Sequence, residues 1–281
     1  AAIPLQALKQ AKPGAVERLR AQMAEADRRL HDHAYIRRLR ASTGIAEFVR
    51  GVRPLYWPRH LEVLSDPASK GQGGGEPRWL VHPLAAAMSQ ARGSLQLVSP
   101  YFVPGDRGIE FLRQLRARGV AVDVLTNSLA ATDVLAVHSG YAPYRKRLLE
   151  AGVALHEQKP GGVQDSSLFG SSGASLHTKA FLVDDDTGFI GSFNIDPRSI
   201  SLNTEMGLLF RDREATAALL AVYRDKTDPR HAYRLRLEDG ALRWDDAATQ
   251  PPTSWEHDPE SAAWQRAAVW LLGWLPIESQ L

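Results

Sequence analysis

Residues 175–205 read SLHTKAFLVDDDTGFIGSFNIDPRSISLNTE. Two short apolar runs, Thr178 to Val183 and Gly188 to Ile190, flank Asp184-Asp185-Asp186-Thr187, and the pattern predicts a β-hairpin that turns at the aspartates. Alternate side chains of a strand share a face. His177 and Lys179 therefore point the same way, and Ser192 and Asn194, just beyond the second strand, can do likewise. Closing the hairpin aims an imidazole, an ammonium, a hydroxyl and a carboxamide at one point. Lys, Ser and Asn donate hydrogen bonds, as does a protonated His. That donor set suits a tetrahedral oxyanion, phosphate foremost, and a neutral imidazole can attack phosphorus. A further strand is predicted from Glu205 to Phe210, and Glu205 could accept the imidazole's other N–H and hold it in its reactive tautomer.

Upstream of this hairpin, helical and extended patterns alternate. Trp79 to Gln90 reads as a helix, Ser94 to Pro100 as a buried strand, and Arg107 to Arg118 as an amphipathic helix closed by Gly119. Val120 to Thr126 (strand), Tyr141 to Ala151 (helix) and Val153 to Glu157 (strand) follow, then a Gly- and Ser-rich loop over 159–175 that belongs near the site. Downstream come a helix from Arg213 to Arg224, a hairpin from Tyr233 to Trp244 with Asp239-Gly240 at its tip, and an apolar end from Ala262 to Leu275. Such alternation predicts an α/β fold, with a mixed, largely parallel sheet covered on both faces. Upstream of it, Ala15 to Arg40 carries an apolar stripe of helical spacing, and Gly71-Gln72-Gly73-Gly74-Gly75 is the best linker candidate. The expected division is a helical extension and linker over 1–77, a catalytic half-domain over 78–226, and a hairpin with a Trp-rich helix over 227–281.

Composition sets outer limits. The 281 residues are 44% hydrophobic and 23% charged, enough for a sizeable core. Cysteine is absent, which excludes disulfides, thiolate metal sites and thiol nucleophiles. No apolar run approaches the ~20 residues needed to span a bilayer. The net charge of +2 is uneven: residues 1–60 hold twelve Lys and Arg against five Asp and Glu. That basic end could attract phosphate or be a solvated helix face. Four of seven tryptophans (Trp255, Trp264, Trp270 and Trp274) lie in the last 27 residues. They read either as an interfacial patch for lipid or as ordinary packing of a terminal helix, the commoner outcome.

The spacing His177-x-Lys179-x4-Asp184, then Gly191-Ser192-x-Asn194, then Glu205 resembles the HKD motif of the phospholipase D superfamily. The resemblance implies a phospholipase D-like α/β/α sandwich and a reaction that needs no metal or other cofactor. Two motif histidines act in it: one forms a phosphohistidine and the other protonates the leaving alcohol. By this resemblance His177 is nucleophile or acid/base, Lys179 and Asn194 bind phosphoryl oxygens, Ser192 supports them, and Glu205 orients the histidine. Asp184, the third letter of the motif, is counted with the catalytic set, although its place in the turn suits a structural part. Ser99-Pro100-Tyr101-Phe102-Val103-Pro104, Thr126 to Asp133, Gly191 to Ser199 and Leu275-Pro276-Ile277-Glu278 look like bacterial cardiolipin synthases of the C type. In that subfamily the opening AAIPLQAL would follow a first copy of the motif.

The other eight histidines lack a lysine two residues on. The resemblance therefore implies a second HKD half as partner, in cis from an N-terminal segment or in trans by homodimerisation, with the former favoured. A phospholipid resembling phosphatidylglycerol is the implied substrate, at the cytoplasmic membrane surface. The rivals are a single-motif nuclease active as a homodimer and an inactive half-domain. Nucleic acid is disfavoured, because the basic residues lie mostly before residue 60. Tyr101, at a strand's carboxyl end, is a candidate substrate-binding residue, since open α/β sheets bind ligands there; core packing is the alternative. His138, with Tyr141, Tyr144 and Lys146, is a second candidate, against a helix start with solvated charges.

Overall fold

The computed structural model describes residues 14, 17–18, 20–21, 23, 25, 50–52, 54–160 and 176–275. The chain forms two units, Ala1–Leu55 and Tyr56–Leu281. In the first, Glu17, Arg18, Arg20, Ala21, Met23 and Glu25 are helical; the rest of the helical stretch expected over 15–40 lies outside the described residues. So do 161–175 of the predicted loop and the closing Pro276-Ile277-Glu278.

The second unit is built on one ten-stranded sheet. Its elements are β1 (His60–Ser65), α1 (Val81–Ser89), β2 (Ser94–Val98), α2 (Gly105–Ala117) and β3 (Ala121–Asn127), then α3 (Leu135–Tyr141), α4 (Tyr144–Glu150) and β4 (Ala154–Gln158). There follow β5 (Lys179–Val183), β6 (Thr187–Gly191), α5 (Pro197–Ser201), β7 (Met206–Arg211), α6 (Arg213–Lys226), β8 (Ala232–Glu238), β9 (Ala241–Asp246), β10 (Thr253–Trp255) and α7 (Ala263–Leu272). The spatial order is β1-β7-β6-β5-β2-β3-β4-β8-β9-β10.

The sheet is mixed, but it is not largely parallel. Only β2–β3 and β3–β4 run parallel, and the other seven neighbours are antiparallel. The reason lies in the connections. A parallel pair needs a crossover, and only α2 and the α3–α4 pair supply one; β5–β6 and β8–β9 are hairpins. At the β8–β9 tip, Asp239 and Gly240 take φ of 50° and 76°, the left-handed pair that a two-residue turn requires.

Helices cover both faces. Phe181, Val183, Phe189, Leu95 and Leu97 share one core with Leu84 of α1, Leu112 of α2 and Leu148 of α4. Leu125, Leu182 and Leu176 pack on the other face with Tyr223 of α6. On the first face Lys179, Gly191 and Gly207 sit in one cross-strand row. The Phe189 ring lies over the two glycines: a Cβ on Gly191 would meet Phe189 Cζ at 2.6 Å.

Three stretches differ from expectation. Tyr141 to Ala151 is not one helix, because Pro143 lacks the N–H that would continue it; α3 ends before it and α4 starts after it. Residues 56–77 do not form a linker. β1 pairs with β7 along its whole length, from His60↔Arg211 to Ser65↔Met206, so the boundary falls at 55/56. The C-terminal hairpin likewise continues the sheet through β4–β8. At the β1–β7 edge an apolar strip stays uncovered, with Leu61, Val63, Met206 and Leu208 between 42% and 66% exposed.

Candidate active site

Lys179 opens β5, and its side chain is buried. Its Nζ donates to the main-chain oxygen of His177 at 2.8 Å and lies 5.8 Å from the centre of the Tyr101 ring. Burial pushes the ammonium below its ordinary value, while Glu205, Asp133 and Asp196 pull it back up. Three carboxylates thus oppose, without cancelling, the cost of desolvating this lysine. His177, two residues earlier, is exposed.

The segment after β6 comes to the same place. Phe102 forms a parallel bridge with Ile195, and Val103 N donates to Ile195 O at 2.7 Å. Ser99 Oγ accepts from Ile195 N at 3.0 Å and donates to Tyr101 O at 2.6 Å. These bonds hold Asn194 beside the carboxyl end of β2. Its Oδ1 is buried and has no hydrogen-bond partner among the described residues. Buried polar atoms are normally satisfied, so this acceptor is open to a donor from a ligand or a water.

The acidic rim is more extensive than sequence reasoning indicated. Tyr101 Oη donates to both oxygens of Asp133 at 3.1 Å. Burial first, and Asp133 next, push its hydroxyl up to about 12. Asp196 caps α5 by accepting from Ser199 N at 2.6 Å, with Pro197 at the first helical position. Burial raises its carboxyl, and nearby Glu205 adds to the rise. Glu205 accepts from Ser199 Oγ at 3.1 Å. No hydrogen bond joins it to His177 among the described residues, so the orienting bond expected of it is not formed here.

A buried ion pair supports Glu205 from behind. Asp66 Oδ2 accepts from Lys70 Nζ at 2.7 Å and from Glu205 N at 2.9 Å, and Oδ1 accepts from Leu80 N at 2.7 Å. Lys70 Nζ also donates to Ser199 O at 2.8 Å. Both side chains have no exposed surface. Two residues of the supposed linker thus fix α5 and the start of β7. Asp133, Asp196, Asp66 and Lys70 were all missed. Only Asp196 had a local signal, an Asp-Pro pair followed by Ser199 at capping distance.

Three expected site residues have other partners. Asp184 sits at the far end of β5, at φ 52°. Its Oδ1 accepts from Gly93 N and Ser94 N at 2.8 and 2.9 Å, and its Oδ2 from Arg92 N at 3.1 Å. Burial would raise its carboxyl, but those three N–H groups outweigh it and hold the group low. It fastens the turn to β2 and lies away from Lys179. Ser192 Oγ accepts from Met206 N at 3.0 Å and donates to Met206 O at 3.3 Å, closing β6 onto β7. His138 does not face a substrate. It is buried, with its Nε2 2.7 Å from Arg145 Nη2. Arginine only donates, so this Nε2 is the acceptor and the ring is neutral; burial first and Arg145 next lower its basicity. Arg145 continues to Glu157 at 2.7 Å and Asp258 at 2.6 Å, and Glu157 also accepts from Tyr141 and Trp244. That buried network ties α3 and α4 to β4, β9 and the turn before α7.

A hairpin that presents lysine and asparagine at the carboxyl end of β2, inside an α/β/α sandwich, places the protein among the phospholipase D-like folds. Residues 84–225 match the family described as "Cardiolipin synthase, PLD-like domain", and the chain belongs to that family. Cardiolipin synthase C of Escherichia coli K12 is 40% identical over 253 residues, 88% of this chain and 53% of that protein. Cardiolipin synthase A of Salmonella arizonae is 34% identical over 171 residues, 60% of this chain and 31% of the other. The chain thus spans about half the length of the first relative. Nuc from Salmonella typhimurium, described as a phospholipase D family member, aligns at TM-score 0.48 and 17% identity, over 63% of this chain and 99% of its own.

Proposed function

We propose that this chain supplies one HKD half of an enzyme that transfers phosphatidyl groups between alcohols, as a cardiolipin synthase does. His177 is one of two histidines that act on the phospholipid phosphodiester. One imidazole nitrogen attacks phosphorus. The phosphorus–oxygen bond to the leaving alcohol breaks as the second histidine gives that oxygen a proton. An incoming alcohol then returns a proton to the second histidine and attacks phosphorus, and the first imidazole leaves. Lys179 and Asn194 hold the non-bridging oxygens, whose charge grows in the transition state. Since one imidazole must be neutral and the other protonated, turnover should follow a bell-shaped pH profile.

The observation that carries this reading is the buried Lys179 at the carboxyl end of β2, where the Phe102–Ile195 bridge also holds the buried Asn194, whose carboxamide N–H groups can donate to a phosphoryl oxygen. The second half, in cis or in trans, is supported by the lone H-x-K motif and by the uncovered apolar strip that starts at Met206, next to Glu205. A lipid substrate places the assembled enzyme peripherally at a membrane surface.

The test supplies phosphatidylglycerol vesicles to the chain together with a first-motif half, followed by acid-free mass spectrometry. A phosphatidyl adduct on His177 and product cardiolipin are expected, and both should vanish in His177→Ala. Product loss without an adduct on the native chain would make His177 the acid/base. Cleavage of DNA without transfer of lipid would overturn the proposal in favour of a nuclease.

A further inference from the structure

The C-terminal helix α7 turns a continuous apolar face outward. Trp264, Ala267, Trp270, Leu271 and Trp274 follow the i, i+3, i+6, i+7, i+10 spacing of a single helical stripe. Trp264, Trp270, Leu271, Trp274 and the following Leu275 are 52–74% exposed. Trp270 and Trp274 meet edge to face at 5.6 Å. No ionisable side chain interrupts the stripe; Arg266 is turned inward, where its Nη1 donates to Ser261 O and Oγ. The half-buried Gln265, Val269 and Leu272 lie on the opposite side, and α7 packs on α3.

Resting on the phosphatidyl-transfer reading, we propose that this face of α7 seats the protein on a phospholipid bilayer. The residue choice identifies the occupant. The uncovered strip on β1 and β7 is Leu, Val and Met, as a protein interface would be, whereas α7 offers three indoles. Indole combines a large apolar ring with an N–H that stays hydrated, and it settles at the boundary between headgroups and acyl chains. Ten residues make a helix of about 15 Å, long enough to lie in that boundary and too short to cross the ~30 Å core. No described helix is long and apolar enough to cross a membrane. The placement also fits: α3, which carries α7, begins two residues after Asp133, and Asp133 holds Tyr101 against Lys179. The seating face is thus tied through one helix to the rim of the site that must receive a headgroup.

The test uses the 281-residue chain and vesicles of phosphatidylethanolamine and phosphatidylglycerol. Expected are co-sedimentation, a blue shift of tryptophan emission, and quenching by lipids brominated in the acyl chain. Trp270→Ala/Trp274→Ala should reduce partitioning about tenfold or more while leaving the thermal midpoint unchanged, because the rings are exposed. Raising salt from about 0.1 to about 1 M should leave partitioning nearly unchanged, since the face is uncharged. Undiminished partitioning of the double variant would overturn the inference. So would absence of quenching, or a change of oligomeric state as the variant's only effect. His177→Ala should partition like the native chain. Combined with a first-motif half, the tryptophan variant should still turn over detergent-dispersed lipid, so loss of seating and loss of the phosphatidyl-transfer reading give different results.

Discussion

At one end of β5, Lys179 is buried among three carboxylates, and Asn194 nearby keeps an unpartnered Oδ1. At the other end, Asp184 commits its carboxylate to three backbone N–H groups. The two ends are five residues apart in sequence, roughly 16 Å along a strand, yet both belong to one motif. The comparison separates chemistry from architecture by a physical criterion. Lys179 spends one of its three donors on a backbone oxygen and has others to offer a ligand, whereas Asp184 is satisfied by the backbone and shapes the chain. Motif spacing alone does not draw that line.

The sharpest attempt to break this distinction begins with His177→Ala. Turnover of the assembled enzyme should fall by about 10³-fold or more, while the thermal midpoint of the chain stays put, since the ring is exposed. A large fall in the midpoint would show that the imidazole braces the fold. Next in size is Lys70→Met, which leaves Asp66 buried without its cation. Urea denaturation should report a loss of about 3–5 kcal/mol; a loss below 1 kcal/mol would mean that the pair does not anchor α5 and β7.

At the opposite end of β5, Asp184→Asn should lower stability by about 1–3 kcal/mol, with turnover per folded molecule unchanged. Its pH dependence has a definite sign. The folded carboxyl is held below its unfolded value of ~3.9, so its contribution is present above that value and lost as pH falls through the folded one. The stability gap between native chain and variant should therefore close in acid. A gap that widens there would contradict the assignment. The smallest effect belongs to His138. Burial depresses its folded value below the unfolded ~6.5, so the folded state binds fewer protons and stability should decline as pH drops below that point. His138→Gln should flatten the decline; an unaltered pH profile of unfolding would exclude His138 as its source.

Most of the fold was legible where local pattern and tertiary role coincide. The strands from β2 to β9 and helices α1, α2 and α6 announced themselves through apolar periodicity and terminal signals such as Gly119. Legibility failed where long-range pairing overrides composition. β1 follows a Pro-containing stretch and precedes a Gly-rich run, and it becomes a strand only because β7 lies beside it. In the site, Lys179 and Asn194 could be placed together from the hairpin alone. Asp66 and Lys70 could not, because the bonds they make to Glu205 and Ser199 reach across 129 residues or more. His138 misled for the opposite reason: a histidine near tyrosines carries no sign of the arginine and carboxylates that enclose it.

The position of β1 bears on how the domain can be handled. A version trimmed to residues 84–225 would lose β1 from one side of the sheet and β8, β9 and β10 from the other. β7 and β4 would become raw borders with rows of unpaired N–H and C=O groups. Such borders recruit strands from neighbouring molecules, so the trimmed piece should clump where the longer chain stays dispersed.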